Sequence, residues 1–403
     1  MVVKRGLLLA VASAMTLVMT AAAPMMGATK EAKPSPLRAE NLLRAKAIAV
    51  GKIKEDGVKR SVVAVGWHET ANPGRLYLTF SKDGGKDYRK NNGNLRRKPV
   101  VGVPTLGMSM DICASRIWIG TGYSSASDKA GDSDVFMTSR RINGQAAQAL
   151  MTNTAADRRV RDVSVACVGN DLIAIGWLEK KAGTYRARMM LRSTQTLGTT
   201  PKFKRTYNLG PAEFESGLAI AGTANSVGVA FVRGDDLRLK RFSIGDGIPP
   251  AVNGHALQTI ATREVREPVL AALGQRMVVA WSGNGKVKAK TSANLGKTFG
   301  GSKILIGTGG LKHRSRPYSI DVVGDRIVVE AAAWAKATGK YTPQRIQSLD
   351  GGKTWGTRSY GHAGGRYGAL LRGADKSSSL MEAWHNNAPK GSRDTLRARY
   401  ELP

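Results

Sequence analysis

Cysteine and histidine are scarce in this 403-residue sequence, and each shortage excludes a kind of site. Two Cys cannot build a disulfide-dense scaffold or a four-thiolate zinc site, and five His leave little room for a histidine-rich metal centre. The sequence also lacks a glycine-rich phosphate loop between a strand and a helix, and it lacks a Gly-x-Ser-x-Gly elbow. We therefore predict no metal, no cofactor and no nucleotide-binding site.

Acidic residues are also few, and this imbalance predicts an anionic partner. Asp and Glu number 30 against 62 Lys and Arg, so the formal net charge is +32. Such an excess attracts polyanions in a salt-dependent way. The apolar fraction of 42% is nevertheless large enough for a folded core. Nucleic acid, a membrane surface and an acidic polymer all remain possible partners at this point.

The first 28 residues have the pattern of a secretory signal peptide. Lys4 and Arg5 precede an uncharged run over residues 6–23, and small residues follow up to Ala28. The alternative is an uncleaved anchor, because 18 apolar residues can just span a membrane. We predict a signal peptide over 1–28, a flexible leader over 29–38, and no transmembrane segment after cleavage. Export to the medium, the periplasm or the cell envelope argues against intracellular nucleic acid as the partner.

An alternating apolar run, which in five of its seven copies ends in an aromatic residue, recurs along the rest of the chain. Val62–Trp67 and Leu172–Trp177 are the clearest copies, and the spacing between copies is 50 to 56 residues. A fixed period of this size indicates a repeat architecture. Turn pairs such as Gly324-Asp325 separate each run from a preceding β-rich segment. The anchor positions, which end the runs, are Trp67, Thr121, Trp177, Phe231, Trp281, Ala331 and Trp384.

The repeat predicts an all-β fold, a seven-bladed β-propeller of four-stranded antiparallel blades, with a six-bladed propeller as the alternative. A single domain is expected over 39–403, as a monomer. The last blade lacks its outer strand, which residues 37–44 are expected to supply. The predicted blades cover residues 44–103, 104–153, 158–209, 213–261, 263–307, 314–361 and 364–403.

A turn motif recurs in phase with the blades. Its clearest copy is Ser-Leu-Asp-Gly-Gly-Lys-Thr-Trp at residues 348–355, and others begin at Ser81 and Ser292. The motif resembles the Asp-box, or bacterial neuraminidase repeat, of the sialidase-like β-propeller superfamily. The Asp or Asn is expected to close the turn as in an Asx-turn, so we interpret the boxes as structural. The box residues are Ser81, Asp83, Gly85, Tyr88, Ser292, Asn294, Gly296, Phe299, Ser348, Asp350, Gly352 and Trp355.

The resemblance implies a possible glycosidase, but the sequence departs from the enzyme pattern. Sialidases of this superfamily are six-bladed and hold the substrate carboxylate with three Arg. They add a Tyr–Glu nucleophile pair and an Asp acid/base, and their first Arg lies in a Phe/Tyr-Arg-Ile-Pro signature. That signature is absent here, so we assign no catalytic residue. The carboxylates that would have to be tested are Asp111, Asp162, Glu215 and Glu267.

Arginine recurs where the first strand of a blade begins, at the expected mouth of the central channel. Arg266, Arg316 and Arg366 follow one another by 50 residues, and Arg161 precedes them by 105. Converging guanidinium groups would bind a carboxylate, sulfate or phosphate. The alternative is that these Arg pair with carboxylates such as Asp162 and Glu267 as braces between blades. The predicted ligand-binding set is Arg161, Arg266, Arg316, Tyr318, Arg366 and Tyr367.

Cys113 and Cys167 fall in the first strands of adjacent units. Export favours a disulfide between them, and two buried thiols are the alternative.

Two functions follow from these patterns. The first is an exported, non-catalytic propeller that binds an anionic polysaccharide, another envelope polyanion, an acidic glycan or an envelope protein. The second is a glycoside hydrolase of exo-sialidase-like type, which would need a carboxylate pair near the axis. Two carboxylates facing one Arg-lined pocket beside a Tyr would favour the enzyme. Carboxylates buried between blades in ion pairs would favour the binding protein.

Overall fold

The structure is a computed structural model, and the elements that it describes are β-strands. No described helix is long and apolar enough to span a membrane. The described residues are 35–39, 43–55, 57–69, 76–84, 108–123, 133–141, 146–150, 158–181, 183–194, 201–213, 216–247, 249–308, 314–359, 366–372, 378–386 and 395–401.

Twenty-eight strands are described in chain order. The first fourteen are β1 (Ser35–Ala39), β2 (Leu43–Glu55), β3 (Val58–Glu69), β4 (Leu76–Ser81), β5 (Met108–Cys113), β6 (Arg116–Tyr123), β7 (Asp134–Arg141), β8 (Ala146–Leu150), β9 (Arg158–Val168), β10 (Leu172–Lys181), β11 (Thr184–Ser193), β12 (Lys204–Pro211), β13 (Leu218–Gly222) and β14 (Ser226–Arg233). The others are β15 (Asp236–Ile244), β16 (Val252–Gly254), β17 (Gln258–Ala261), β18 (Val265–Leu273), β19 (Arg276–Gly283), β20 (Lys286–Ser292), β21 (Lys303–Ile306), β22 (Arg316–Val323), β23 (Arg326–Ala335), β24 (Lys340–Ser348), β25 (Gly356–Ser359), β26 (Arg366–Arg372), β27 (Ser378–Asn386) and β28 (Thr395–Glu401).

Antiparallel pairing groups these strands into seven sheets, which we number as blades 1 to 7 along the chain. The first strand of each blade contacts the first strand of the next, and β26 of the last blade contacts β2 of the first, so the blades close into a ring. This arrangement confirms the predicted β-propeller. The blades are β2-β3-β4, β5-β6-β7-β8, β9-β10-β11-β12, β13-β14-β15-β16 with β17 also on β15, β18-β19-β20-β21, β22-β23-β24-β25 and β26-β27-β28-β1.

Strand β1 completes the last blade by pairing antiparallel with β28. This is the closure expected from the N-terminal segment, but it begins at Ser35 rather than residue 37. Residues 35–38 were predicted to end a flexible leader, and that prediction is wrong for these four residues. Their backbone groups pair with the free edge of β28, which would otherwise stay open.

The position of a strand within its blade determines its burial pattern. The second strand β19 is buried along almost its whole length, because neighbouring blades cover both of its faces. The third strand β20 alternates instead, with Val287 and Ala289 buried and Lys286, Lys288 and Lys290 partly exposed. The core therefore lies between blades, where the anchor aromatics Trp177, Phe231 and Trp281 are among the largest fully buried side chains. The apolar runs that revealed the repeat are these second strands.

A disulfide joins blades 2 and 3, as predicted. Cys113 ends β5 and Cys167 lies in β9, with their Cα atoms 6.0 Å apart. The link crosses two innermost strands that are already in contact.

The two faces of the ring differ in what they carry. Turns between first and second strands, and between third and fourth strands, lie on one face, which we call the box face. The second-to-third hairpins and the beginnings of the first strands lie on the opposite face, which we call the mouth face. This division follows from antiparallel pairing within every blade.

Candidate functional site

The predicted box turns close through the acceptor atoms of Asp or Asn. Asp350 accepts hydrogen bonds from the backbone N–H of Lys353 (3.0 Å) and Thr354 (2.9 Å) and from Thr354 Oγ1 (2.6 Å). Asn294 accepts from Thr298 N at 2.9 Å in the same way. The hydrogen bonds with Thr354 hold the pKa of Asp350 well below its usual range. This is the local Asx-type chemistry expected of these turns.

The glycines of these turns permit close approach to the preceding blade. Gly352 has φ 93°, and a Cβ there would lie 2.5 Å from Thr291 Cγ2 of blade 5. Arg276 of blade 5 also donates to Gly351 O at 3.0 Å. The turns therefore act as joints between neighbouring blades as well as hairpin ends.

Aromatic residues complete two of the turns. Trp355 donates from Nε1 to Gly352 O at 3.1 Å and packs against the core between blades, and Phe299 packs against the core between blades 4 and 5. In the first blade, Ser81 Oγ bonds to Asp83. Gly85 and Tyr88 lie outside the described residues.

On the mouth face, β-bulges bring two carboxylates into equivalent positions in blades 3 and 5. Asp162 and Val163 together oppose Trp177, just as Glu267 and Pro268 oppose Trp281. Both acidic residues have positive φ, 50° for Asp162 and 51° for Glu267. A bulge of this type redirects a side chain, and L-residues adopt positive φ only when their surroundings impose it.

The two carboxylates interact electrostatically across blade 4. Burial raises the pKa of Asp162 to about 6; the Arg161 charge opposes this shift and the Glu267 carboxylate adds to it. Burial likewise raises the pKa of Glu267, against the opposing charges of Arg316 and Arg314. The mouth therefore holds a pair of carboxylates whose ionised forms are disfavoured.

Arg316 connects this pair to an aromatic cluster. Its Nη1 lies 3.7 Å from Glu267 Oε1, and its guanidinium lies 5.8 Å from the ring centre of Tyr318 and 5.3 Å from that of Tyr341. Burial acts to lower the pKa of Arg316, but Tyr318 and Glu267 outweigh it and the pKa is raised. We call Asp162, Glu267, Arg316 and Tyr318 the mouth cluster.

Two atoms of the mouth cluster are buried without a hydrogen-bond partner in the described part of the chain. They are Glu267 Oε2 and Arg316 Nε. The Arg316 side chain as a whole is 43% exposed, so a solute at the mouth face can reach it. Most buried polar atoms in folded proteins have a hydrogen-bond partner, and it is the exposed part of the Arg316 side chain that a solute can contact.

The other predicted ligand-binding residues separate into three groups. Arg266 donates to Ser216 Oγ of blade 4 at 2.8 Å and pairs with Asp235 at 3.4 Å, which makes it a brace between blades. Arg161 is partly exposed beside Asp162. Arg366 and Tyr367 begin β26, but their side chains lie outside the described part. Glu215 is also outside it.

Asp111 belongs to the joint between blades 2 and 3 rather than to the mouth cluster. Its Oδ2 accepts from Cys167 N and its Oδ1 from Ile112 N, both at 2.7 Å. Burial raises its pKa to about 6 although these two bonds act to lower it. Among the three predicted carboxylates that the structure describes, the Glu267 charge acts on Asp162, and Asp111 lies apart from both.

Sequence reasoning missed Arg314, Tyr341 and Trp334. Tyr341 pairs with Trp334 across β23 and β24, and their ring centres are 5.0 Å apart. The sequence did carry a signal for the longer hairpin of blade 6. Trp334 lies three residues beyond the anchor position Ala331, whereas strand pairing in blade 5 ends two residues beyond its anchor. Within the described residues, no group of three or more His, Cys, Asp or Glu could hold a metal ion.

Comparisons with known proteins concern the fold. No protein-family model and no curated protein matches the chain. Among solved structures, it is similar to the phage phi92 endosialidase, with 11% identity, a TM-score of 0.43, and coverage of 93% of this chain and 69% of that one. It is also similar to an exo-beta-1,3-galactanase from Phanerochaete chrysosporium, with 9% identity, a TM-score of 0.38, and coverage of 70% and 76%. A post-proline cleaving enzyme from Rickettsia typhi has 8% identity, a TM-score of 0.40, and coverage of 85% and 50%. Such low identities and TM-scores carry no argument about activity.

Proposed function

We propose that the mouth cluster binds an acidic carbohydrate and that Arg316 holds its carboxylate. The observation that carries this proposal is the setting of Arg316. The side chain is exposed at the mouth face and is held between Glu267 and two Tyr rings. Guanidinium groups suit bidentate binding of carboxylates. Asp162 and Glu267 would accept hydrogen bonds from sugar hydroxyls.

The overall charge and the N-terminal segment support an anionic ligand outside the cytoplasm. A net charge of +32 raises the local concentration of polyanions. The signal peptide expected over residues 1–28 would bring the protein to the envelope or the medium, where acidic polysaccharides are found. We propose an exported glycan-binding propeller of the Asp-box type.

Direct binding measurements test this proposal. Titration calorimetry with N-acetylneuraminate and galacturonate should show binding by the wild type, with glucose as the neutral control. Arg316→Ala should weaken binding by roughly 10- to 100-fold, since a hydrogen bond to a charged group contributes about 1.5–3 kcal/mol. Arg205→Ala removes the same charge from an exposed position on β12 and should leave the affinity unchanged. Equal losses of affinity in both variants would show that binding depends on general electrostatic attraction and not on the mouth cluster.

The second candidate is glycoside hydrolysis at the same cluster. It is favoured by the interacting pair of Asp162 and Glu267 beside Tyr318. A carboxyl group with a pKa of about 6, such as Asp162, could protonate a leaving group near neutral pH. Glu267 and Tyr318 would then lie on the side of the developing positive charge.

Turnover of a fluorogenic sialoside separates binding from hydrolysis. If the protein is a hydrolase, Asp162→Asn and Glu267→Gln should each reduce kcat by roughly 10²- to 10⁴-fold while the sialoside still binds. If the wild type binds the sialoside but releases no fluorophore between pH 4 and 8, the hydrolase candidate fails and the binding protein stands.

A further inference from the structure

The second-to-third hairpins on the mouth face differ in height around the ring. In blade 3, strand pairing continues four residues beyond the anchor Trp177, to Lys181 opposite Thr184. In blade 6, it also continues four residues beyond the anchor position, to Ala335 opposite Lys340. Two additional residues per strand raise a hairpin by about 7 Å.

Blades 4 and 5, which lie between these two, have low hairpins. Pairing ends two residues beyond the anchor in each, with Arg233 opposite Asp236 and Gly283 opposite Lys286. Both turns have two residues, and each contains positive φ, at Gly234 (59°) and at Asn284 (52°). Such tight turns leave no loop above the sheet. The mouth face thus has a low rim over blades 4 and 5, bounded by raised hairpins of blades 3 and 6.

Each raised hairpin presents an aromatic ring together with a cation. In blade 3, Tyr185 is 38% exposed, and Lys180 Nζ lies 4.9 Å from its ring centre. In blade 6, Tyr341 lies against Trp334 and below the Arg316 guanidinium. Aromatic rings give a flat apolar surface for sugar faces, and the cations suit acidic groups on the same chain.

The mouth cluster lies at the inner end of this open sector. Asp162 comes from blade 3, Glu267 from blade 5, and Arg316 from blade 6. A sugar held by Arg316 would therefore have a free path outward over the low rim, between the two raised hairpins. A pocket for one terminal sugar would need raised walls on this side as well.

We infer that the ligand is an acidic carbohydrate chain, which runs from the mouth cluster over the rim of blades 4 and 5. Tyr185 contacts sugar units beyond the one held by Arg316, whereas Tyr341 lies beside Arg316 itself. This inference rests on the proposed function and gives it a substrate class, because it predicts that the site recognises a polymer rather than a single sugar.

Affinity as a function of chain length tests the inference. Galacturonate oligomers of one, two, four and six units are titrated into the wild-type protein. The affinity per site should rise from monomer to tetramer, by roughly three- to tenfold for each additional aromatic contact. Tyr185→Ala should reduce this gain while monomer binding stays unchanged. Tyr185→Phe, which keeps the ring, should retain the gain.

A second variant tests the path of the chain without changing any residue of the mouth cluster. Inserting two residues on each side of Asn284-Gly285 would raise the blade 5 hairpin to the height of blade 6. The monomer should then bind as before, while the tetramer and hexamer lose their advantage.

The possible outcomes separate the inference from the proposed function. Equal affinity of monomer and hexamer for the wild type would overturn the inference and leave carboxylate binding intact. A length-dependent gain that survives both Tyr185→Ala and the insertion would also overturn it, because the chain would then follow another path. Absence of binding at every length, for galacturonate and N-acetylneuraminate alike, would overturn both proposals.

Discussion

The two faces of the propeller use the same chemical group in opposite ways. On the box face, Asp350 accepts three hydrogen bonds from Lys353 and Thr354, and its pKa lies well below the usual range. On the mouth face, burial raises the pKa of Asp162 and of Glu267. The ionised carboxylate of a box turn thus stabilises the folded chain, whereas ionisation of the mouth carboxylates lowers its stability. Ionisable groups with perturbed pKa values are frequent at functional sites, and they also occur in structural joints such as that of Asp111.

Positive φ occurs on both faces, but the residues that adopt it at the mouth are the two interacting carboxylates. The box turns adopt positive φ at glycines such as Gly296 and Gly352, where no Cβ is strained. At the mouth, positive φ falls on Asp162 and Glu267, where the same conformation is strained. Non-glycine residues with positive φ also occur in turns of the box face, at Ala114, Ser115 and Leu295, so what distinguishes the mouth is that this conformation falls on its carboxylates.

The largest expected effect comes from disturbing a box turn. Gly352→Val would place a side chain at φ 93° and against Thr291, and we expect the free energy of unfolding to fall by about 2–5 kcal/mol. Gly301→Ala is the matched control, because a Cβ at Gly301 meets nothing within 4 Å, and its effect should stay within about 0.5 kcal/mol. Urea unfolding measures both. Similar stabilities for the two variants would contradict the role given to the box turns.

Neutralising a mouth carboxylate should have a smaller effect of the opposite sign. The pKa of Asp162 is about 6 in the folded protein and near 3.8 when unfolded, so the folded state binds more protons between these values. Wild-type stability should therefore rise as the pH falls from about 7 to 4. Asp162→Asn should be about 1–3 kcal/mol more stable than wild type at pH 8, and this part of the pH dependence should disappear. Loss of stability at pH 8 would show that the ionised carboxylate is stabilising after all.

The same exchange in a box turn should act in the other direction. Because the pKa of Asp350 is lowered in the folded state, its contribution to stability is present above the unfolded pKa and is lost as the pH falls below about 4. Asp350→Asn should therefore lower the melting temperature at pH 7, and the difference from wild type should shrink toward pH 2. A variant that melts like wild type at both pH values would remove the contrast between the faces.

The smallest expected effect concerns ligand affinity. Protonation of Asp162 removes one negative charge from the mouth cluster, so the wild type should bind galacturonate more tightly at pH 5.5 than at pH 7.5, by less than about tenfold. Asp162→Asn should show a smaller difference in affinity between the two pH values. Calorimetry at constant ionic strength measures this difference, and an unchanged pH dependence in the variant would assign it to another group.

Much of the architecture could be predicted from the sequence because it depends on local pattern. The buried second strands produce the apolar runs, and the turn chemistry of Ser348 and Asp350 is contained within eight residues. Repeat phase also places Cys113 and Cys167 in the first strands of adjacent blades, but the distance across the blades was needed to decide between a disulfide and two buried thiols. The predicted start of strand β1, residue 37, is two residues too late. Ser35 and Pro36 have no strand pattern of their own, and they pair with β28 only when the ring closes.

The site was predicted only in part. Asp111 and Glu267 look alike in the sequence, as acidic residues near the beginning or middle of a first strand. A regular strand turns Asp111 toward Cys167 N, whereas a bulge opposite Trp281 redirects Glu267. Arg266 and Arg316 likewise occupy the same repeat position. Arg266 binds Ser216 and Asp235 of the neighbouring blade, whereas the Arg316 side chain stays exposed at the mouth face.

The sequence by itself determined the blade, since burial between neighbours, tight turns and strand alternation are properties of segments of about fifty residues. The tertiary structure alone decided which residues meet at the axis. Asp162 and Glu267 are more than one hundred residues apart, and they interact only because the closed ring places blades 3 and 5 on either side of blade 4. Hairpin height on the mouth face also becomes meaningful only in the ring, where two raised hairpins and a low rim lie side by side.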